Sequence, residues 1–429
     1  MRNEHDVRIG RRDFLKASAA LPIAASAYAA GSDIIRVGVV GCGNRGPAAA
    51  MDAMRADPGV RIVAMGDLLL DRVQEKRTAL KLKYQDQMAV DDDHCFSGFD
   101  AYKHVIESSD VVILANASKF QCLQLRAAID AGKHVFAEKP HAIDPAGIKR
   151  QRAACELAKQ KGLSVVSGLQ SRYHPGYQET MQRVHDGAIG DIVAIQETWL
   201  RPPYGMYPRR PGMREVVFQA SNQYHFNWLC GDDVPQTLIH NLDRSSWALR
   251  NAAPLRAYGM GGRSTLHGEV YGNNFDHHSV VYDFPGGVRV YASCRTIDNC
   301  YNENSSLILG TKGHCDLLKL RIDGETKWQQ AGPKSKNDAY RLEHVALYQG
   351  IRAGKPVNNS DYMIRSTLIT LMGQFSCYTG KEVTWEQINA SDFCYAPKPE
   401  DCREDMEAPV KPGPDGIYPV FVPGQTTLL

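Results

Sequence analysis

The residues of this chain best suited to chemistry fall at two places. The first is Gly41-Cys42-Gly43-Asn44-Arg45-Gly46, a G-x-G-x-x-G turn that directly follows the β-branched run Ile34–Val40 and precedes a predicted helix. In that setting Gly41 permits the tight turn, Gly43 lets the backbone approach a pyrophosphate, and Gly46 allows close helix–strand packing. Backbone N–H groups of Cys42, Asn44 and Arg45, with the helix dipole, would hold the phosphates of a dinucleotide. Asp67 lies 26 positions after Gly41, at the end of the second predicted strand. A carboxylate there accepts hydrogen bonds from both hydroxyls of an adenosine ribose and repels a 2′-phosphate, which favours NAD over NADP. The second place is Lys139, in Ala131-Gly132-Lys133-His134-Val135-Phe136-Ala137-Glu138-Lys139-Pro140. At the carboxyl end of a strand its ammonium can face the ligand crevice, hydrogen-bond a reacting hydroxyl and stabilise alkoxide-like charge as hydride leaves. From spacing alone it reads equally well as a solvated loop lysine.

Both sites need a scaffold that gathers strand ends, and the alternation along the chain predicts one. Strands are expected at Ile34–Val40, Val60–Met65, Val111–Ala115, Val135–Ala137 and Ser164–Ser167, with helices at about Pro47–Arg55, Leu69–Leu82, Leu123–Ala131 and Pro145–Lys161. That order predicts an α/β fold, a doubly wound parallel sheet with crossover helices over residues 33–168. From 169 to 396 the texture changes. Strand-like runs at Ile192–Leu200, Leu255–Met260, Ser279–Phe284, Val288–Cys294 and Ser306–Leu309 predict a large open, mainly antiparallel sheet, with a hairpin turn at Gly286-Gly287. Helices are expected near His174–His185, Val234–Leu249, Tyr340–Ala353 and Asp361–Tyr378, the last two packing back on that sheet. Residues 397–429 read as a proline-rich arm over a neighbouring surface.

The glycine turn, the A-G-K-H-V-x-x-E-K-P segment and Gly310-Thr311-Lys312-Gly313 together resemble the Gfo/Idh/MocA family, from about Ile34 to Tyr395. The resemblance implies an N-terminal Rossmann domain, a C-terminal α/β domain whose open sheet forms an oligomer interface, and hydride chemistry on sugars or polyols. It places Glu138 and Lys139 at the cofactor, with Lys139 near the nicotinamide. It also implies a helix bearing H-x-x-D, here His240-Asn241-Leu242-Asp243, with His240 as proton acceptor and Asp243 on the same crevice. Two departures stand out. Gln236 occupies the position where many relatives carry an acid, and Asn116-Ala117-Ser118-Lys119-Phe120-Gln121 replaces T-P-x-x-x-H, leaving Gln121 for the histidine. Asn116 is still expected to reach the dinucleotide through its backbone. Tyr224, near His225 in the Ser221–Trp228 loop, and Arg172 and Tyr173 are candidate contacts to a pyranose, although core packing explains such clusters as well. His277 and His278 are adjacent on a strand and would point apart, so no catalytic metal is expected there or at Asp232-Asp233.

Composition sets the remaining bounds. Fifty basic against 48 acidic residues give a net charge of +2, so no global field draws nucleic acid or an anionic membrane. The 11 cysteines are odd in number, which precludes complete disulfide pairing. Arg11-Arg12-Asp13-Phe14-Leu15-Lys16, followed by the mildly apolar run Ala17–Ala30, resembles a twin-arginine signal over residues 1–31. The run is too short and weakly apolar for a convincing span, so no stable membrane span is expected after cleavage. The expected partners are the twin-arginine export machinery and a small carbohydrate, and the expected location is periplasmic or otherwise exported. Outside the cytoplasm no free NAD pool is maintained, so the enzyme would carry its NAD and regenerate it within the cycle. An oxidoreductase acting on a sugar or sugar derivative satisfies this. So does an NAD-dependent glycoside hydrolase running oxidation, elimination, hydration and reduction; a non-catalytic NAD-binding module is the remaining alternative. An open sheet and an arm suggest a homo-oligomer.

Overall fold

Strand ends for the glycine turn and the lysine come from a parallel sheet. In the computed structural model, which describes residues 33–267, 271–331 and 336–429, the strands are β1 (Ile35–Val40), β2 (Val60–Asp67), β3 (Cys95–Ser97), β4 (Val111–Leu114), β5 (His134–Ala137) and β6 (Val165–Ser167). They pair in the order β3-β2-β1-β4-β5-β6, every pair parallel. This is a Rossmann sheet, whose order reverses between β1 and β4, and ligands bind at such a switch point. All residues of β4 and β5 are buried, which is why Val111–Leu114 and Val135–Ala137 are unbroken apolar runs rather than alternating ones. Helix Arg45–Ala56 follows β1 and packs through Ala49, Ala50 and Ala53, small enough to let it lie close to the sheet. Helix Pro145–Gln160 begins on a proline, with the Asp144 side chain accepting from the Gly147 N–H at 2.7 Å.

Two elements of this half are absent from the sequence expectation: β3 and helix Ala101–Ser108. β3 is a three-residue edge strand only partly buried, too short for periodicity to register.

The second sheet comprises β7 (Ile192–Arg201), β8 (Arg256–Gly262), β9 (His277–Asp283), β10 (Arg289–Thr296), β11 (Glu303–Gly310), β12 (Gly313–Asp316), β13 (Arg321–Gly324), β14 (Trp328–Gln329) and β15 (Val383–Thr384). Its order is β14-β13-β12-β11-β7-β10-β9-β8-β15, mixed because β7 and β10 run parallel while the other neighbours are antiparallel. Gly286 and Gly287 form the predicted turn between β9 and β10, both at positive φ (77° and 81°). The short strands β12 to β15 were not foreseen. Helix Ser360–Thr379 is almost wholly buried, wedged between β8 and β9 on one side and helix Pro145–Gln160 on the other. Helix Lys336–Arg352 departs from the expectation: it packs on helix Arg45–Ala56 of the first sheet rather than on the second.

The arm beyond residue 397 lies on its own chain. Arg214 donates to the Asp405 carbonyl, Gln219 to that of Val410, and the buried Tyr418 ring meets Phe226 edge-on at 5.1 Å. Residues 34–429 form one compact unit, and one apolar cluster runs through both sheets. Among the described residues no helix is long and apolar enough to cross a membrane. The twin-arginine segment falls on residues 1–31, outside the described residues.

Candidate active site

The glycine turn shapes one wall of a groove of about 410 Å³, lined by Gly41, Gly43, Asn44, Arg45, Asp67 and Asn116 among others. Gly41 sits at φ +97°, where a Cβ would lie 2.6 Å from the Ala115–Asn116 peptide. A Cβ on Gly46 would fall 1.8 Å from the Gly41 carbonyl oxygen, so helix and turn meet only through glycine. Gly43 has nothing within 4 Å of its Cβ position. That open face, beside the first N–H groups of helix Arg45–Ala56, fits a pyrophosphate, and the residues present fit NAD. Cys42 contributes differently from the expectation. Its thiol is buried, donating to the Gly66 carbonyl at 3.6 Å, and lines neither cavity. Its backbone N–H donates instead to Asp67 Oδ2 at 2.7 Å, fixing the carboxylate at the end of β2.

A smaller cavity of about 180 Å³ shares Arg45, Ala115, Asn116, Gln223 and Tyr224 with the groove and adds Glu138, Lys139, Gln236, His240 and Tyr340. Lys139 leaves β5 and donates from Nζ to the Gln236 carbonyl oxygen at 2.7 Å. That carbonyl lies in a π-helical turn, Val234–Leu238, just before helix Ile239–Ala248, a geometry often found at functional sites. Burial pulls the Lys139 pKa down to about 8, against the neighbouring Glu138 carboxylate. His240 is 7% exposed, and its Nδ1 has no hydrogen-bond partner. Burial first, then the Lys139 charge, holds its imidazole well below the usual histidine range, so the ring is neutral. Glu138 accepts from Arg45 Nε, while Arg45 also reaches Asp52 at 3.2 Å and lies 4.6 Å over the Tyr340 ring.

The side-chain oxygens of Asn116, Gln223 and Gln236 are buried without partners, and all three residues line this cavity. Unpartnered acceptors on residues that line the same cavity as an ammonium suit a ligand that brings several hydroxyl donors. Tyr224 lies on both cavities, stacked on Tyr204 with centroids 4.2 Å apart.

Three expected substrate contacts are not brought here. Arg172 makes a two-pronged ion pair with Asp243 (2.8 and 2.9 Å) and packs between Trp247 and Tyr362. Tyr173 donates to Asn359 at 2.8 Å, and none of Arg172, Tyr173 and Asp243 lines either cavity. Three residues along a helix turn through about 300°, leaving Asp243 about 60° from the face His240 presents. At that angle it meets Arg172 and the Ser366 hydroxyl instead. Gln121 is fully buried and also outside both cavities. His277 is half-exposed and His278 buried against Gln374, on opposite faces of β9 as adjacent strand residues must be. Sequence reasoning missed Gln223, Tyr340 and the Gln236 carbonyl; none carries a local signal, because each is useful only through where the fold puts it.

Residues 35–168 match the oxidoreductase family with an NAD-binding Rossmann fold, Gfo/Idh/MocA. The match covers the first sheet and its helices. A dTDP-3,4-didehydro-2,6-dideoxy-α-D-glucose 3-reductase of Actinomadura kijaniata is 26% identical over 41% of this chain and 48% of its own length. An inositol 2-dehydrogenase of Salmonella paratyphi B is 26% identical over 75% of this chain and 87% of its own. Several of the similar curated proteins are matched over only about half their length (48%, 42% and 57%). A scyllo-inositol dehydrogenase structure from Lactobacillus casei superposes with a TM-score of 0.62 at 19% identity, covering 82% of this chain and 99% of the other, which extends the likeness of fold to the second sheet.

Proposed function

We propose that the chain is an NAD-dependent oxidoreductase acting by hydride transfer on a hydroxyl-bearing carbon of a sugar or cyclic polyol. The observation that carries this reading is the pairing of the Lys139 ammonium and the neutral His240 imidazole on one small cavity that shares a wall with the dinucleotide groove. When bound, NAD supplies the hydride acceptor or donor. Lys139 hydrogen-bonds the substrate oxygen and stabilises negative charge developing there, while the Gln236 carbonyl aims its ammonium. The His240 imidazole takes the hydroxyl proton. Asn116, Gln223 and Gln236 receive the other hydroxyls, and the inositol and deoxysugar activities named for the relatives support a polyhydroxylated ring. The test is a panel of inositols and free sugars, with nicotinamide absorbance as the readout. Substrate-dependent reduction that disappears in Lys139→Met is expected; bound NAD that no polyol reduces would sink the reading.

We further propose export through Arg11-Arg12, and self-association through the outer face of the second sheet, where Val193, Met260 and Tyr291 are 50%, 74% and 44% exposed. Replacing both arginines by lysine should leave the protein in the cytoplasm on fractionation. Light scattering reads the oligomer, and Met260→Glu with Tyr291→Glu should dissociate it.

A further inference from the structure

The wall of the dinucleotide groove opposite the glycine turn belongs to the second half of the chain. Between β7 and helix Glu215–Ser221, residues 202–214 form no regular structure, yet Tyr204, Gly205, Met206 and Tyr207 line the same groove as Gly41, Gly43 and Asp67. We propose that this segment is part of the cofactor site, with Tyr207 and Arg72 contacting the adenosine end, and that it encloses NAD as a non-exchanging group. The proposal rests on the NAD-dependent reading above and adds to it the residues that make the cofactor a resident one.

The segment is fastened at three points. At its start, Arg201 pairs with the buried Asp233 at 2.6 Å and lies 3.7 Å over the Tyr204 ring, which in turn stacks on Tyr224. In its middle, the buried Asn222 side chain grips the Tyr207 backbone at both ends, accepting from its N–H at 2.6 Å and donating to its carbonyl at 3.0 Å. The Tyr207 ring has the Arg72 guanidinium 4.8 Å and the Arg210 guanidinium 4.9 Å from its centre. Arg72 also holds Asp67, the ribose carboxylate, at 3.3 Å, so strap and ribose site share one side chain. Toward its end, Arg210 pairs with Asp71 of the first half at 2.6 Å. The carboxyl-terminal arm braces the strap from behind, through Arg214 to the Asp405 carbonyl and Tyr418 to Glu215. A dinucleotide lying between the glycine turn and Tyr207 leaves on that side only if these contacts open, so strap opening sets its exit rate.

The test uses the full chain loaded with NADH and chased with excess NAD, reading loss of energy transfer from protein tryptophan to bound NADH. Wild type should hold NADH through the chase. Tyr207→Ala should release it about a hundredfold faster and Arg210→Ala about tenfold faster, both at saturable binding, while Tyr207→Phe, which keeps the ring, stays near wild type. Wild type that exchanges at once, or variants that exchange no faster, overturns the strap. Wild type that never binds NADH gives no energy transfer at all, and overturns the NAD reading itself. Should Tyr207→Ala fail to fold, Arg210→Ala and Asp71→Ala decide the matter, because that pair is about half exposed and outside the core.

Discussion

The glycine turn and the cavity around Lys139 sit side by side on the same strand ends but are built from opposite materials. The turn works through backbone: Gly41 and Gly46 are there because a Cβ would strike Ala115 or the Gly41 carbonyl. The cavity works through side chains and borrowed carbonyls from segments far apart in sequence: Lys139 after β5, Gln223 and Gln236 from the second half, Tyr340 from a late helix. A backbone site binds by shape and fixed dipoles, whereas the cavity depends on how burial sets protonation. Binding and turnover should therefore be separable by mutation.

The sharpest separation is at Lys139. Lys139→Met keeps the stem and removes the ammonium, and should lower kcat by about 10³–10⁴-fold. NAD affinity, measured by fluorescence titration, should change little, because the ammonium bonds Gln236 and not the glycine turn. A parallel loss of NAD binding would erase the distinction between the two regions.

What the sequence made legible follows the same division. The turn, Asp67, and strands β1 and β2 with the helices that follow them are local in sequence, so spacing alone located them. Lys139 and His240 were legible as residues, yet only the fold shows that they share a cavity and that His240 is neutral beside an ammonium. Asp243 was misplaced because periodicity tells which residues neighbour each other on a helix, not which partner an adjacent helix will offer. Tyr207 gave no signal at all. In Arg201-Pro202-Pro203-Tyr204-Gly205-Met206-Tyr207 the chain looks like an ordinary loop.

Asp243 supplies the next test. Its side chain is 1% exposed and that of Arg172 10%, and removing one partner of such a pair typically costs about 3–5 kcal/mol. Asp243→Ala should lower the thermal midpoint by several degrees, with kcat/KM per folded molecule close to wild type. A stable variant with impaired KM would return Asp243 to the substrate site.

A smaller effect distinguishes the cavity by pH. Lys139 carries the charge that stabilises a developing alkoxide only while protonated, and burial places that transition at about 8. Oxidation should thus fall as pH rises through about 8, by up to about tenfold per unit. The histidine, neutral throughout this range, adds no limb of its own there. Lys139→Arg stays charged and should lose the limb, whatever its absolute rate. A limb that persists in that variant belongs to another group.

The mildest change probes the backbone site at its one essential side chain. Asp67 Oδ2 already accepts the Cys42 N–H, and Oδ1 accepts from the Leu69 N–H at 3.2 Å and from Arg72 at 3.3 Å. These donors aim the carboxylate into the groove before any ribose arrives, so binding needs no rearrangement there. Asp67→Asn keeps the shape but turns one oxygen into an NH2 that must face the Cys42 or the Leu69 N–H, and it leaves the ribose a neutral acceptor, a difference of about 1–2 kcal/mol per hydrogen bond there. NAD affinity should fall about tenfold, while kcat at saturating NAD stays near wild type. The same change removes the repulsion of a 2′-phosphate and leaves Arg72 free to meet it, so NADP should bind more tightly than it does to the parent. Were NADP binding unchanged while NAD binding fell, Arg72 would be committed to Tyr207 rather than to the ribose, tying cofactor choice to the strap.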